Sequence, residues 1–194
     1  MDRLEKYAKK MNIPIMQKDG ILFLIDYIKK NNVKSILEIG SAIGYSAINM
    51  AKVDSDIKVV TIERDEVRYK EAIKNIKDYG LEKQIKVIFG DALNIEIDDM
   101  FDLIFIDAAK AQYVNFFEKY KSNLKENGTI ISDNLDFHGL THENVVIKNK
   151  NLRSLVRKIN DYKKFLQNNS EFHTEFLMIG DGIGVTKKVW KLLL

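Results

Sequence analysis

The chain has 194 residues, one proline, no cysteine and a net charge of +3. That length gives one domain with a full-sized core, and the missing thiols exclude disulfides, thiolate zinc sites and cysteine nucleophiles. The weak net charge makes no whole-chain demand for nucleic acid, and neither a signal-like segment nor a membrane-length apolar run is present, so a cytoplasmic protein without membrane contact is expected.

Leu4, Tyr7, Ala8 and Met11 recur at helical spacing and predict a short first helix; a second runs from about Asp19 to Lys30, after the extended Ile13-Pro14 step. An alternation follows. Ser35–Ile39 reads as a strand, Tyr45–Ala51 as a helix, Lys58–Ile62 as a strand, then a helix capped by Asp65 and stopped by Gly80. Ile85–Phe89 and Phe101–Ile106 are strands, Ala111–Lys125 a helix ended by Gly128, and Thr129–Ser132 a strand. Asn151–Leu166 is an amphipathic helix with Leu152, Leu155, Val156, Ile159 and Leu166 on its buried side. Phe172–Ile179 and Ile183–Val189 are strand-like runs joined only by Gly180-Asp181-Gly182, a connection short enough for nothing but an antiparallel hairpin. Strands alternating with helices predict an α/β fold, a mostly parallel seven-stranded sheet with helices on both faces. Its terminal hairpin departs from the all-parallel dinucleotide-binding sheet and resembles the Rossmann-like methyltransferase fold, whose last strand is inserted antiparallel.

The chemistry collects where strands end. Glu38-Ile39-Gly40-Ser41-Ala42-Ile43-Gly44-Tyr45-Ser46 spans the first strand-to-helix turn, where Gly40 and Gly44 let the backbone approach a ligand. Its Gly-x-x-x-Gly spacing is not the Gly-x-Gly-x-x-Gly of a nicotinamide or flavin binder. Glu63 ends the second strand, where a carboxylate can accept two ribose hydroxyls. Gly90-Asp91-Ala92 ends the third, where a carboxylate can accept an exocyclic adenine amine. Each alone reads as a tight turn or a solvated charge. Three successive strand ends of this kind place a nucleoside ligand across the carboxyl edge of the sheet. Two further strands end in Ile106-Asp107-Ala108-Ala109-Lys110 and Ser132-Asp133-Asn134. Their two carboxylates, amide and lysine suit a hard divalent cation such as Mg²⁺ better than zinc.

Together with Leu37-Glu38-Ile39-Gly40-x-x-x-Gly44-Tyr45-Ser46, Glu63 and Gly90-Asp91-Ala92, the motifs Ile106-Asp107-Ala108-x-Lys110-x-x-Tyr113 and Asp133-Asn134 resemble the divalent-metal-dependent O-methyltransferases. That family includes catechol, caffeoyl-CoA and bacterial tRNA 5-hydroxyuridine methyltransferases. Asn12-Ile13-Pro14-Ile15-Met16-Gln17 is similar to the tRNA branch. The resemblance covers nearly the whole chain and implies S-adenosylmethionine as cofactor, with Met16 and Ser46 at its methionine end, Glu38 and Gly40 beneath, Glu63 on the ribose, and Asp91 and Ala92 on the adenine. It implies Mg²⁺, or another hard cation such as Mn²⁺ or Ca²⁺, on Asp107, Asp133 and Asn134, with Asp107 bordering the cofactor as well, and Lys110 as the catalytic base. It further implies a homodimer and a single domain over 1–194, with the helices of residues 1–31 in a lid. Lys110 lies one turn beyond Asp107 if a helix begins there, and a cation at a helix N-terminus is electrostatically unfavourable, which itself argues for a function.

The acceptor is less legible. Lys150, Arg153, Arg157 and Lys164 share one side of the 151–166 helix, with Lys148, Lys158 and Lys163 around them. This is a solvated face or a dock for a phosphate-bearing partner such as a tRNA anticodon loop, where Tyr45, Tyr113 or Phe137 would stack on a base or serve as packing. The leading expectation is 5-hydroxyuridine of tRNA becoming 5-methoxyuridine. A small catechol-like phenol would use the same site without the basic helix, and a non-catalytic nucleotide-binding module would need only the glycine loop. His138 and His142, four apart around Gly139, are expected to serve a substrate loop or the structure rather than a metal, and His173 the structure.

Overall fold

A computed structural model describes residues 3–142 and 145–189. The ends of the domain expected over 1–194 lie outside the described residues. Seven strands form one sheet in the order β3-β2-β1-β4-β5-β7-β6: β1 (Ser35–Ile39), β2 (Lys58–Glu63), β3 (Ile85–Phe89), β4 (Phe101–Ile106), β5 (Leu124–Ser132), β6 (Phe172–Leu177) and β7 (Ile183–Lys188). β1 to β5 pair in parallel, and β7 enters between β5 and β6 antiparallel to both. This is the sheet the terminal hairpin predicts. Because β7 reverses between them, β5 and β6 point the same way, and the β6–β7 turn falls on the rim where the parallel strands end.

Side-chain alternation along each strand feeds two cores. Ile36, Val59, Leu103, Phe105 and Ile131 pack on one face, under α1 (Arg3–Lys10), α2 (Lys18–Lys30), α3 (Tyr45–Ala51) and α4 (Glu66–Asp78). Leu37, Ile39, Ile104, Ile106 and Ile130 pack on the other, under α5 (Tyr113–Tyr120) and α6 (Lys150–Gln167). Among the described residues no helix is long and apolar enough to cross a membrane.

Most expected boundaries hold within a residue or two. Asp65 caps α4 by accepting from the Arg68 N–H, and Gly80 follows that helix at φ 67°. Three expectations need correcting. Met11 lies beyond α1 and is exposed, the chain turning at Asn12 with φ 51°. The helix expected over 111–125 is a 3₁₀ turn at Lys110–Gln112, then α5, then a 3₁₀ turn at Lys121–Asn123. Asn123 unwinds it by donating to the carbonyls of Ile97 (2.6 Å) and Asp99 (3.0 Å), which draws Leu124 into the sheet opposite Phe101. Gly128 therefore sits in a bulge of β5 rather than at a helix end, since the ladder resumes at Leu103 opposite Thr129. The third concerns α6. Its core residues are Val156, Ile159, Leu166 and the unforeseen Tyr162, whose hydroxyl meets Ser132 Oγ at 2.8 Å; Leu152 and Leu155 are only half-buried.

What positions the site is the level finish of the parallel strands. Ladder bonds continue one residue past each strand: Asp107 N–H donates to Ile39 O (3.0 Å), Asp133 N–H to Ile106 O (3.1 Å), Gly40 N–H to Ile62 O (3.0 Å) and Gly90 N–H to Glu63 O (3.0 Å). Strand order reverses between β1 and β4, and at such a reversal the departing loops open a crevice beyond the carboxyl ends.

Candidate active site

A cavity of about 390 Å³ fills that crevice and is bordered by residues from both halves, among them Met16, Gly40, Glu63, Asp91, Lys110 and Asn134. Ser46, Ala92 and Asp107 also line it, whereas Glu38, Gly44 and Asp133 stand behind its wall. Nearly all the expected cofactor and metal residues therefore converge on one space.

In the glycine loop, Gly40 has φ 102°, and a Cβ there would lie 2.2 Å from the Asp107 carbonyl oxygen. The turns after β1 and β4 touch, so only glycine keeps them together. Gly44 bends back at φ 81°, with Asn75 Nδ2 donating to Ile43 O at 3.0 Å to pin the loop from α4. Beneath it Glu38 is fully buried. One carboxylate oxygen accepts from Ser46 Oγ and the other from Thr61 Oγ1 (2.5 Å), which also pairs with Ser41 Oγ (2.6 Å). Glu63 accepts from the Ala42 N–H (2.8 Å) on one oxygen and the Asp65 N–H (2.9 Å) on the other. A carboxylate has about four lone-pair positions, so each Glu63 oxygen keeps one for a ligand. Asp91 accepts from the Leu93 N–H at 2.9 Å, and Ala92 O from Tyr120 Oη at 2.6 Å.

Burial raises the Glu38 carboxyl from 4.5 to about 7, opposed by the two hydroxyl donors and reinforced by the charges of Asp107 and Glu63. A folded-state value above the unfolded one means the folded protein holds the proton more tightly. That contribution is present below pH 4.5 and is lost as pH rises through about 7, a difference of roughly 3 kcal/mol. Glu38→Gln should remove this part of the decline in stability between pH 5 and 8; urea titrations at the two pH values test it, and an unchanged decline rules the assignment out.

At the end where the sequence places a metal, Asp133 is 2% exposed and its Oδ2 has no hydrogen-bond partner among the described residues. An unpaired carboxylate oxygen in the interior is costly and asks for a cation. Burial first and the Asp107 charge second raise Asp133 from 3.8 to about 7, with Lys110 opposing. Asp107, half-buried on the cavity wall, is raised too, by burial and by Asp181, again with Lys110 opposing. Asn134 stands in the left-handed region at φ 60°, accepts from Lys110 Nζ on Oδ1 (2.6 Å) and donates from Nδ2 to Asp181 Oδ2 (3.3 Å). Among the described residues no three His, Cys, Asp or Glu side chains form a metal cage. The donor set is two carboxylates and an amide oxygen, which fits a hard cation that keeps water or substrate oxygens in its remaining positions. The Lys110 ammonium rests on one of those donors.

Lys110 reaches this place by a different route from the one expected. It opens a 3₁₀ turn, not an α-helix, so the helix-dipole argument lapses and the 2.6 Å bond to Asn134 replaces it. Tyr113 is no stacking platform: it is buried and donates to Asp133 O at 3.1 Å. Tyr45 and Phe137 line the cavity, and Lys110 Nζ lies 5.9 Å from the Phe137 ring. His138 Nδ1 faces Asp181 (3.2 Å) and also lines the cavity, while His142 Nε2 faces Asp136 (3.1 Å); neither pairs with Asp133. His173 is exposed on β6. Lys150, Arg153, Arg157 and Lys164 are exposed and make no ion pair among the described residues; they do not line the cavity, although α6 packs on the 110–112 turn. Three charged lining residues were not expected from the sequence: Arg64, Arg68 and Asp181. Asp181 looked like a turn residue between two glycines, yet the inserted β7 puts that turn on the active rim, which was the signal available.

A profile described as O-methyltransferase matches residues 1–189. The chain belongs to the O-methyltransferase family. It is thereby an enzyme of the S-adenosylmethionine-dependent class. The methyltransferase is 39% identical to a candidate caffeoyl-CoA O-methyltransferase from Staphylococcus aureus of known structure, with TM-score 0.92 over 96% of this chain and 90% of that one. The Bacillus cereus O-methyltransferase, solved with S-adenosylhomocysteine, is 25% identical with TM-score 0.81 over 95% and 88% of the two chains. A flavonoid 3′,5′-methyltransferase of Vitis vinifera is 27% identical over 95% of this chain and 82% of its own.

Proposed function

We propose that this methyltransferase moves the methyl group of S-adenosylmethionine onto one of two adjacent hydroxyls of a small catechol-like phenol, beside a divalent cation held by Asp107, Asp133 and Asn134. The observation that carries the metal is the buried, unpartnered Asp133 Oδ2 next to a second carboxylate. Supporting the phenol are the flavonoid and caffeoyl-CoA enzymes the chain resembles.

The cation, Mg²⁺ or Mn²⁺ or Ca²⁺ in its place, would acidify and orient the acceptor hydroxyl. The chain's residues do the rest. Glu63 offers its spare lone pairs to the ribose, Asp91 and Ala92 flank the adenine, and Glu38 steadies Ser46 at the methionine end. The described part of the N-terminal segment, residues 3–31, would form part of a lid through Pro14 to Gln17, which border the cavity. As the sulfur–methyl bond breaks and the oxygen–methyl bond forms, Lys110 takes the hydroxyl proton as a free amine, its own ammonium proton having passed to water beforehand. Holding both reactants in line supplies much of the rate.

The exposed stripe of Lys150, Arg153, Arg157 and Lys164 favours a second reading, methylation of 5-hydroxyuridine in tRNA. Label from S-adenosylmethionine offered a phenol panel or bulk tRNA separates them. The phenol reading expects a monomethylated catechol, no label in tRNA, and no effect of Arg153→Glu with Arg157→Glu. Label in tRNA that disappears on this charge reversal would reverse the choice.

A further inference from the structure

The turn between β6 and β7 carries a buried carboxylate that neither the cofactor half nor the cation's donor set uses. Asp181 is 4% exposed yet borders the cavity. Its Oδ2 accepts from Asn134 Nδ2 at 3.3 Å, and its Oδ1 accepts from the His138 N–H and lies 3.2 Å from His138 Nδ1. Its own carbonyl accepts from Asp136 N–H (2.8 Å) and Phe137 N–H (3.4 Å), and the Gly182 carbonyl from Leu135 N–H (2.9 Å). Gly182, at φ 84°, admits no side chain, because a Cβ there would lie 2.5 Å from Asp136 N. One turn therefore grips the segment 134–138 along its length, and that segment bends through left-handed positions at Asn134, Phe137 and His138.

A carboxylate is an unfavourable choice here by charge alone, since it sits in the field of Asp107 and Asp133. What it supplies that a neutral side chain lacks is one-way hydrogen bonding. An ionised carboxylate only accepts, so it binds the NH₂ end of an amide and never the oxygen end. With Nδ2 held by Asp181, the Asn134 amide has a single orientation, and its Oδ1 faces Lys110 and the cavity. A flipped amide would turn two donors toward the cation.

We infer that Asp181 is a positioning residue that locks the Asn134 amide with its oxygen toward the cation. This rests on the metal reading above, and the test separates the two. Mn²⁺ binding to the full chain is followed by electron paramagnetic resonance without acceptor, and S-adenosylhomocysteine binding by calorimetry. Asp181→Ala should weaken Mn²⁺ binding about 10- to 100-fold, the usual cost of losing an outer-sphere partner, with S-adenosylhomocysteine affinity held within about twofold. Asp181→Asn, equal in shape but able to donate as well as accept, lets the Asn134 amide flip and should stay well below the wild type. In an Asn134→Ala background, Asp181→Ala should cost nothing further. Equal loss in that background, Asp181→Asn as strong as the wild type, or Mn²⁺ binding unchanged in Asp181→Ala each overturns the inference. Wild-type protein that takes up no Mn²⁺ overturns the metal site itself, and this role with it.

Discussion

Replacing Lys110 by alanine lowers kcat by about 10²- to 10⁴-fold, the range expected when a general base is lost. The 2.6 Å bond from Lys110 Nζ to Asn134 Oδ1 places the side chain for that role beside the two carboxylates, and release of its ammonium proton to water frees the lone pair that accepts the hydroxyl proton. In the proposed reaction Asn134 Oδ1 passes to the cation and Lys110 is left facing the acceptor. Two readouts separate this from a structural role. Cofactor affinity stays within about twofold, because an interaction made mainly in the transition state changes kcat rather than binding. Mn²⁺ affinity holds or rises, because a competing cation has been removed. Unchanged turnover, or turnover lost together with cofactor binding, contradicts the assignment.

Asp133→Asn abolishes catalysis while making the metal-free protein more stable. The carboxylate is buried, unpartnered on Oδ2 and close to Asp107, and together these raise it from 3.8 to about 7. Because the folded-state value is the higher one, the folded protein pays nothing below about pH 4 and bears the full electrostatic cost above about pH 7, roughly 4 kcal/mol. Asparagine carries no charge to bury. Without divalent metal, its melting temperature should exceed the wild type's at pH 8, with the gap closing as pH falls toward 4. A gap independent of pH, or a variant less stable at pH 8, contradicts the electrostatic account. Natural proteins retain such a group where ionisation serves function at the expense of stability.

Much of this site was legible in the chain because a parallel sheet delivers its strand ends to one rim. Glu63, Asp91, Asp107 and Asp133 each close an apolar run, and the level ladder brings them together without further instruction. The Gly180-Asp181-Gly182 hairpin announced the inserted strand for the same local reason. Longer-range contacts were not legible. Asn123 unwinds a helix that periodicity extends, through hydrogen bonds donated by its side-chain amide to a loop more than twenty residues away. Tyr162 enters the core where Ser132 offers its hydroxyl a partner and Tyr113, Phe117 and Phe165 pack on its ring. The hairpin signalled the rim on which Asp181 stands, but no spacing carries its hydrogen bonds to Asn134 and His138.

The proposed reaction depends on a cation at Asp107, Asp133 and Asn134. Transfer of labelled methyl from S-adenosylmethionine to a catechol, by chelator-treated wild type and Asp133→Asn across a Mg²⁺ titration, tests this most directly. The predicted result is no product without metal, saturable recovery in the wild type and none in the variant. Full methylation in the presence of chelator would contradict it.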